Sequence, residues 1–357
     1  MIDFQALVIT LGLLLVVLGL TTIAAVVNKI TSNREEESRK RHLDRVRQQF
    51  LILATNGDRR SAYREIASAL TGRWSQPAAE EVSQLELSIR LDVIRSLEEQ
   101  GVIAHYLRET KSPLKWSRAH ALRLLGELKV PASVPALLAA LEDKDPDVRN
   151  VAARALGKMK LQAAEEALVG LLGKHEQSVS ARIAAICIEM GARTAPLLIR
   201  ALRDGTPKAR FWAARILGEI REARAARSLG DALLDPEPDV RSAAAWALGS
   251  VADPSTSGMV ETALRDPVWF VRAHAAEALG KIGDASKAGS LGRMLEDRSW
   301  WVRKNALDAL VRLGEPGKAA FQDALTSNDR FARDCAAEGL AALGVTVTPP
   351  RRAAMGG

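Results

Sequence analysis

Side chains able to bind metals or act as nucleophiles are sparse in this chain. It has five histidines and two cysteines among 357 residues. A metal site needs three or four donors converging at fixed spacing. Here only His175 and Glu176 are adjacent, in a stretch that reads as a turn. Cys187 and Cys335 each sit inside an alanine-rich helical pattern, which fits buried thiols in a reducing compartment and suggests neither a disulfide framework nor zinc. There is no glycine-rich phosphate loop and no nucleophile elbow. The predicted catalytic set, metal set and cofactor set are therefore all "none". What the sequence does offer is recognition chemistry. Trp269–Phe270 and Trp300–Trp301 stand as pairs just ahead of Arg272 and Arg303. Large aromatics beside arginine are the usual anchors of protein interfaces.

The elements that position these residues follow from an internal repeat. Arg118, Arg149, Arg182, Arg210, Arg241, Arg272, Arg303 and Arg333 recur at intervals of 31, 33, 28, 31, 31, 31 and 30 residues. Each opens an amphipathic helix, and a second apolar stripe such as "SVPALLAALED" lies between consecutive arginines. The unit is a helical hairpin that cannot bury its apolar face alone, so neighbours must stack into one core. Counting from the arginine, positions −1, +3, +7 and +10 are nearly always apolar, for example Val148, Ala152, Leu156 and Met159. That 3/4 spacing marks the core stripe. The arginines are predicted to form a structural ladder with turn acids such as Asp145, Asp239 and Asp297.

A second stripe lies one residue, about 100°, off the core. Trp116, Phe270, Trp301 and Phe331 occupy position −2, Trp269 and Trp300 position −3, and Phe211, Trp212 and Trp246 positions +1, +2 and +5. Nine of the fifteen aromatic residues (7 Trp, 2 Tyr, 6 Phe) fall on or beside this stripe. It holds the candidate partner-binding residues Trp116, Phe211, Trp212, Trp246, Trp269, Phe270, Trp300, Trp301, Lys304 and Phe331. The alternative is that the rings plug gaps between stacked helices.

The pattern D-x-D-x-V-R-x-x-A-x-x-A-L-G-x-I-G resembles the short bacterial HEAT-like repeat, the type named after phycobilisome lyases, over residues 113–344. Repeat three departs from it, because Gly191 falls nine residues after Arg182 instead of eight. The resemblance implies an α-α superhelix whose second helices line a concave, aromatic-rich groove shared with Arg123, Arg154, Arg215, Lys304 and Asp308. Some relatives hydroxylate a lysine derivative at an iron site built from several His-Glu pairs, and those pairs are missing. His120 and His274 share position +2 but lie five repeat intervals apart, too far to share a metal. HEAT-like DNA glycosylases offer a second comparison, which Trp300, Trp301, Lys304 and Asp308 match locally. Residues 113–344 carry 33 basic against 29 acidic side chains, a near-neutral body that argues against a nucleic-acid grip. The function read here is a non-catalytic scaffold binding a protein partner, with a membrane enzyme or its cytoplasmic regulator as the candidate client; the alternatives are a lyase-like enzyme and a glycosylase-like nucleic-acid binder. A small-molecule substrate is not expected.

The N-terminal segment completes the sequence-based architecture. Residues 6–27 carry no charge in 22 residues, about 33 Å as a helix against a hydrocarbon core of about 30 Å. The expectation is an all-α chain with one transmembrane helix followed by about eight 31-residue hairpins. Residues 28–60 carry nine basic against five acidic side chains, and no Lys or Arg precedes the span. That predicts a single-pass inner-membrane protein with the N-terminus outside and the repeats cytoplasmic. The expected divisions are an anchor over 1–31, a stalk helix capped at Ser32 with an atypical helical cap over 32–112, the solenoid over 113–344, and a disordered tail over 345–357.

Overall fold

The structure, a computed structural model, describes residues 4–55, 58–174 and 177–345, with side chains for 18–55, 58–174 and 179–345. His175, Glu176 and nearly all of the expected tail lie outside the described residues. Among the described residues all regular structure is helical. The chain divides into two units, residues 1–140 with 144–159 and residues 141–143 with 160–357.

The first unit carries α1 (Phe4–Ala54), α2 (Arg59–Thr71), α3 (Ser75–Ser83), α4 (Leu87–Glu99), α5 (Val102–Glu109), α6 (Lys115–Glu127), α7 (Val134–Ala139) and α8 (Pro146–Met159). Val46 and Leu53 of α1 are buried with Ile66, Leu70, Val82, Leu97 and Tyr106, and the cluster extends onto Leu124 and Leu125 of α6. The apolar 3/4 spacing of Leu43, Val46, Phe50 and Leu53 thus serves to dock the end of α1 on its neighbours.

Two expectations about α1 need correction. No helix among the described residues is long and apolar enough to cross a membrane, so the transmembrane helix and the inner-membrane localisation are overturned. The described apolar stretch of α1, Leu18–Val27, gives about 15 Å of helix, half of a hydrocarbon core; the side chains before it lie outside the described residues. The helix also runs from Phe4 to Ala54 without a break, so Ser32 caps nothing. In a helix interior the N–H groups already have their i−4 carbonyls, which leaves a capping side chain no orphan donor to satisfy. Within α1, Glu37 pairs with Arg41 at 3.5 Å, whereas Glu35 turns to Arg73 of the α2–α3 turn at 2.5 Å.

The second unit holds α9 (Gln162–Leu171), α10 (Gln177–Met190), α11 (Ala195–Asp204), α12 (Pro207–Glu219), α13 (Ala226–Asp231), α14 (Pro238–Val251), α15 (Ser257–Thr262), α16 (Trp269–Ile282), α17 (Ala288–Arg293), α18 (Trp300–Leu313), α19 (Glu315–Ala324) and α20 (Arg330–Ala342). From α12 onward the even-numbered helices pack in sequence, and their −1 positions Val240, Val271 and Val302 are buried. The Leu-Gly pair near the ends of α12, α14 and α16 sets the stacking distance. A Cβ on Gly249 would lie 2.6 Å from Ala278 Cα, and one on Gly280 2.6 Å from Ala309 Cα. Only glycine lets the two backbones approach so closely. The irregular third repeat has a physical form: Gly191 takes φ +66° and opens a 3₁₀ turn, Gly191–Thr194.

Candidate functional site

Three of the signature arginines, Arg210, Arg241 and Arg272, are fixed from both sides. Nη1 of each folds back to the preceding turn's carbonyls: Arg241 donates to Asp235 O at 2.9 Å and Pro236 O at 3.1 Å, and Arg272 to Asp266 O at 2.8 Å. The other edge of the guanidinium forks onto an aspartate 25 residues on. Arg210 grips Asp235 at 2.6 and 2.8 Å, Arg241 grips Asp266 at 2.6 and 3.0 Å, and Arg272 grips Asp297 at 2.7 and 2.9 Å. Each aspartate also accepts the N–H two residues later, from Glu237, Val268 and Ser299. Three rungs thus link four repeats through largely buried charge pairs. Burial pushes these carboxyls up, but the arginine fork and the backbone N–H outweigh it and hold all three below the usual carboxylate range.

In the second unit the ladder runs through Asp235, Asp266 and Asp297, of which Asp297 was among the expected acids. Asp239 lies exposed in the first turn of α14, and Asp145 pairs with Lys115 at 3.4 Å. Asp235 and Asp266 were missed, although a signal was available: they fall six residues before consecutive signature arginines, 31 apart.

The aromatic stripe is partly open to solvent. Trp269 is 46% exposed, Trp300 56%, Trp301 57% and Phe331 59%, all in the second unit; Trp116 of the first unit is 72% exposed, with Lys115 Nζ 4.8 Å from its ring centroid. Phe270, Phe211, Trp212 and Trp246 are half-buried. Within a repeat the rings meet edge to face, with centroids 5.7 Å apart for Trp269–Phe270, 4.8 Å for Trp300–Trp301 and 5.4 Å for Phe211–Trp212. Arg215 lies 3.7 Å over Trp246, an arrangement that fixes this indole as a packed cation–π pair. Phe211 and Trp212 line a cleft of 460 Å³ with Glu237 and Asp239. Lys304 is tied to Asp308 at 2.9 Å, while Arg123 reaches Gln76 at 3.1 Å.

His274 and Cys187 are packed into the helices. His274 Nδ1 lies 2.6 Å from Ser242 Oγ, and His120 Nε2 3.2 Å from Ser75 Oγ; burial lowers the pKa of both imidazoles. Burial pushes the Cys187 thiol up to about 12, which makes it inert at neutral pH. No group of three or more metal-ligating side chains exists among the described residues.

The profile of the HEAT repeats matches residues 103–189, 175–248 and 226–296, together more than half of the chain. No curated protein matches the chain. Among solved structures it is similar to a Kap121p mutant at 16% identity and a TM-score of 0.52, over 83% of this chain and 38% of that one. It is also similar to Kap95p, in a structure concerned with RanGDP, at 12% identity, a TM-score of 0.47, and 80% and 49% coverage. The phycocyanin lyase CpcE–CpcF complex of Nostoc matches at 23% identity, a TM-score of 0.32, and 68% and 93% coverage. These likenesses are of fold, and the first is the one with a TM-score above 0.5.

Proposed function

The chain belongs to the HEAT-repeat family, and from that premise we propose that it is a non-catalytic scaffold that binds a protein partner on the aromatic stripe of its second unit. The observation that carries this reading is the exposure of Trp269, Trp300, Trp301 and Phe331, large rings in three successive repeats left uncovered. Monomeric proteins seldom leave such apolar area open unless something covers it. A core plug would be buried, and these four rings are not. Trp246 and Phe270 are half-buried, and Phe270 packs edge to face on Trp269. Residues 32–112 act in the same reading as the cap that shields the N-terminal end of the repeats, a role every solenoid end requires.

The test begins with a photo-crosslinking residue at position 301, so that the bound protein is captured at the stripe and identified. Binding of that purified protein is then measured for Trp300→Ala and Trp301→Ala. Each should weaken affinity by about 30-fold, a hot-spot loss of about 2 kcal/mol, with only a modest fall in melting temperature. A collapse in stability of about 3–5 kcal/mol, the cost of truncating a buried aromatic, without selective loss of binding would overturn the reading.

A further inference from the structure

The ladder has an open end. Its rungs are built from an aspartate six residues before each signature arginine: Asp235, Asp266 and Asp297. In the last repeat that position is Ser327. Its main chain keeps the pattern, since Arg333 Nη1 donates to Ser327 O at 2.7 Å. Its side chain cannot. Ser327 Oγ donates to Glu296 at 2.5 Å and accepts from Asp329 N at 3.0 Å. A serine is too short and uncharged to replace a carboxylate that forks onto the neighbouring guanidinium.

Arg303 is left without a carboxylate acceptor, and the half-buried Cys335 thiol is set beside its guanidinium. Its Nη1 is used as in the other rungs, on Asp297 O at 2.8 Å. Its Nε, which in Arg210, Arg241 and Arg272 holds an aspartate at 2.6–2.7 Å, is buried and has no hydrogen-bond partner among the described residues. A buried, unpaired cationic donor is costly, and its hydrogen-bonding direction is fixed by the rest of the fork. The Phe331 ring lies 4.7 Å from the guanidinium carbon and is itself mostly exposed. Trp300 and Trp301 precede Arg303 by three and two residues on α18.

We propose that the place of the missing aspartate beside Arg303 is a carboxylate-binding site, filled by an aspartate or glutamate side chain of the bound protein. The three rungs define the ligand: a planar carboxylate held by Nε and Nη2 of one arginine. The surroundings define its source. A protein segment that covers Trp300, Trp301 and Phe331 delivers an acidic side chain to Arg303, whereas a free anion would leave those rings bare. The proposal deepens the scaffold reading by naming the anchor chemistry, and rests on it for the carboxylate's origin.

The test selects displayed random 12-residue peptides on the full chain and compares them on Ser327→Asp, which supplies the missing carboxylate within the chain. Selected peptides should share an Asp or Glu beside apolar residues. Exchange of that acid for its amide should weaken binding at least tenfold, and so should Ser327→Asp in the protein. Arg303→Lys, which keeps the charge and loses the fork, should do the same if Ser327→Asp fails to fold. In ¹⁵N-arginine spectra the Arg303 Nε–H signal should move on addition of the peptide while those of the three rungs stay in place. Recovery of no peptide, or of peptides that bind Ser327→Asp as well as wild type, overturns the proposal. If N-acetyl-aspartate methylamide alone binds as tightly as the peptides, the site takes a free carboxylate and the assignment to a protein side chain is wrong. Acid-dependent binding that survives Trp300→Ala and Trp301→Ala would keep the site at Arg303 and remove the aromatic surface from the scaffold reading.

Discussion

Asp266 joins two repeats through one side chain. Its carboxylate takes the Arg241 fork and the Val268 N–H, while its carbonyl takes Arg272. Asp266→Ala should cost about 3–5 kcal/mol, because the Arg241 guanidinium would stay largely buried without its partner. Urea unfolding at pH 7 measures the loss. The sign of the pH effect follows from the depressed carboxyl. Its stabilisation is complete above the unfolded-state value near 3.9 and disappears as pH falls through the lower folded value. Wild type should therefore lose stability below about pH 4, and the variant should show a shallower fall over that window. The arginines of the ladder were legible from their 31-residue period. Their acids were legible only in part: Asp297 was named, but "DPEPD" over 235–239 offers several candidates within one turn. The start of α14 at Pro238 decides between them: it carries Asp239 into the helix and leaves Asp235 in the preceding turn.

At the scale of the element, two substitutions of opposite sign test how the second helices end and pack. Two of them, α14 and α16, close on a left-handed residue eleven after the signature arginine, which is Gly283 after α16 but Ala252 after α14, with φ +56°. Ala252→Gly removes the steric penalty on a Cβ in that conformation and should stabilise by about 1 kcal/mol. Gly280→Ala places a Cβ 2.6 Å from the backbone of Ala309. It should destabilise by about 1–3 kcal/mol, the range for overpacking a filled interior. Thermal melts of the two single variants read both effects. The unbroken α1 belongs to this scale as well. Its Ser32 and Glu35 have capping spacing, but a cap signature acts only where the helix actually begins, and propagation from an existing helix costs less than a new nucleus.

For the whole molecule, the test is which residues the repeats require. In the first unit, Leu124 and Leu125 of α6 are buried in one cluster with Val93, Leu97 and Tyr106. A chain beginning at residue 113 exposes that face and should aggregate in size-exclusion chromatography. A chain beginning at Ser32 keeps Val46 and Leu53 in place and should elute as a single species with near-complete helicity. Equal behaviour of the two would remove residues 32–112 from the role of a cap. The near-neutral body carries a separate expectation. Partner affinity should change by less than tenfold between 50 and 200 mM salt, whereas a nucleic-acid complex with 6–10 phosphate contacts would lose about 10³–10⁵. Titrations at the two salt concentrations distinguish these cases.

Sequence alone determined the helical hairpin, its period, and the core stripe that Val148, Ala152, Leu156 and Met159 form. These follow from local periodicity, which a chain displays whether or not it is folded. It also pointed to the aromatic stripe, since the rings recur at fixed offsets from each arginine. The tertiary structure decided which rings are open and which are packed: Trp301 faces solvent, while Trp246 lies under Arg215. It decided that Glu35 pairs with Arg73 across 38 residues, and that Arg303 has no rung of its own. Such outcomes depend on contacts between residues one repeat or more apart. A spacing rule gives the direction of a side chain about its own helix, and only the stacked neighbour decides whether that direction meets a partner, a core or solvent.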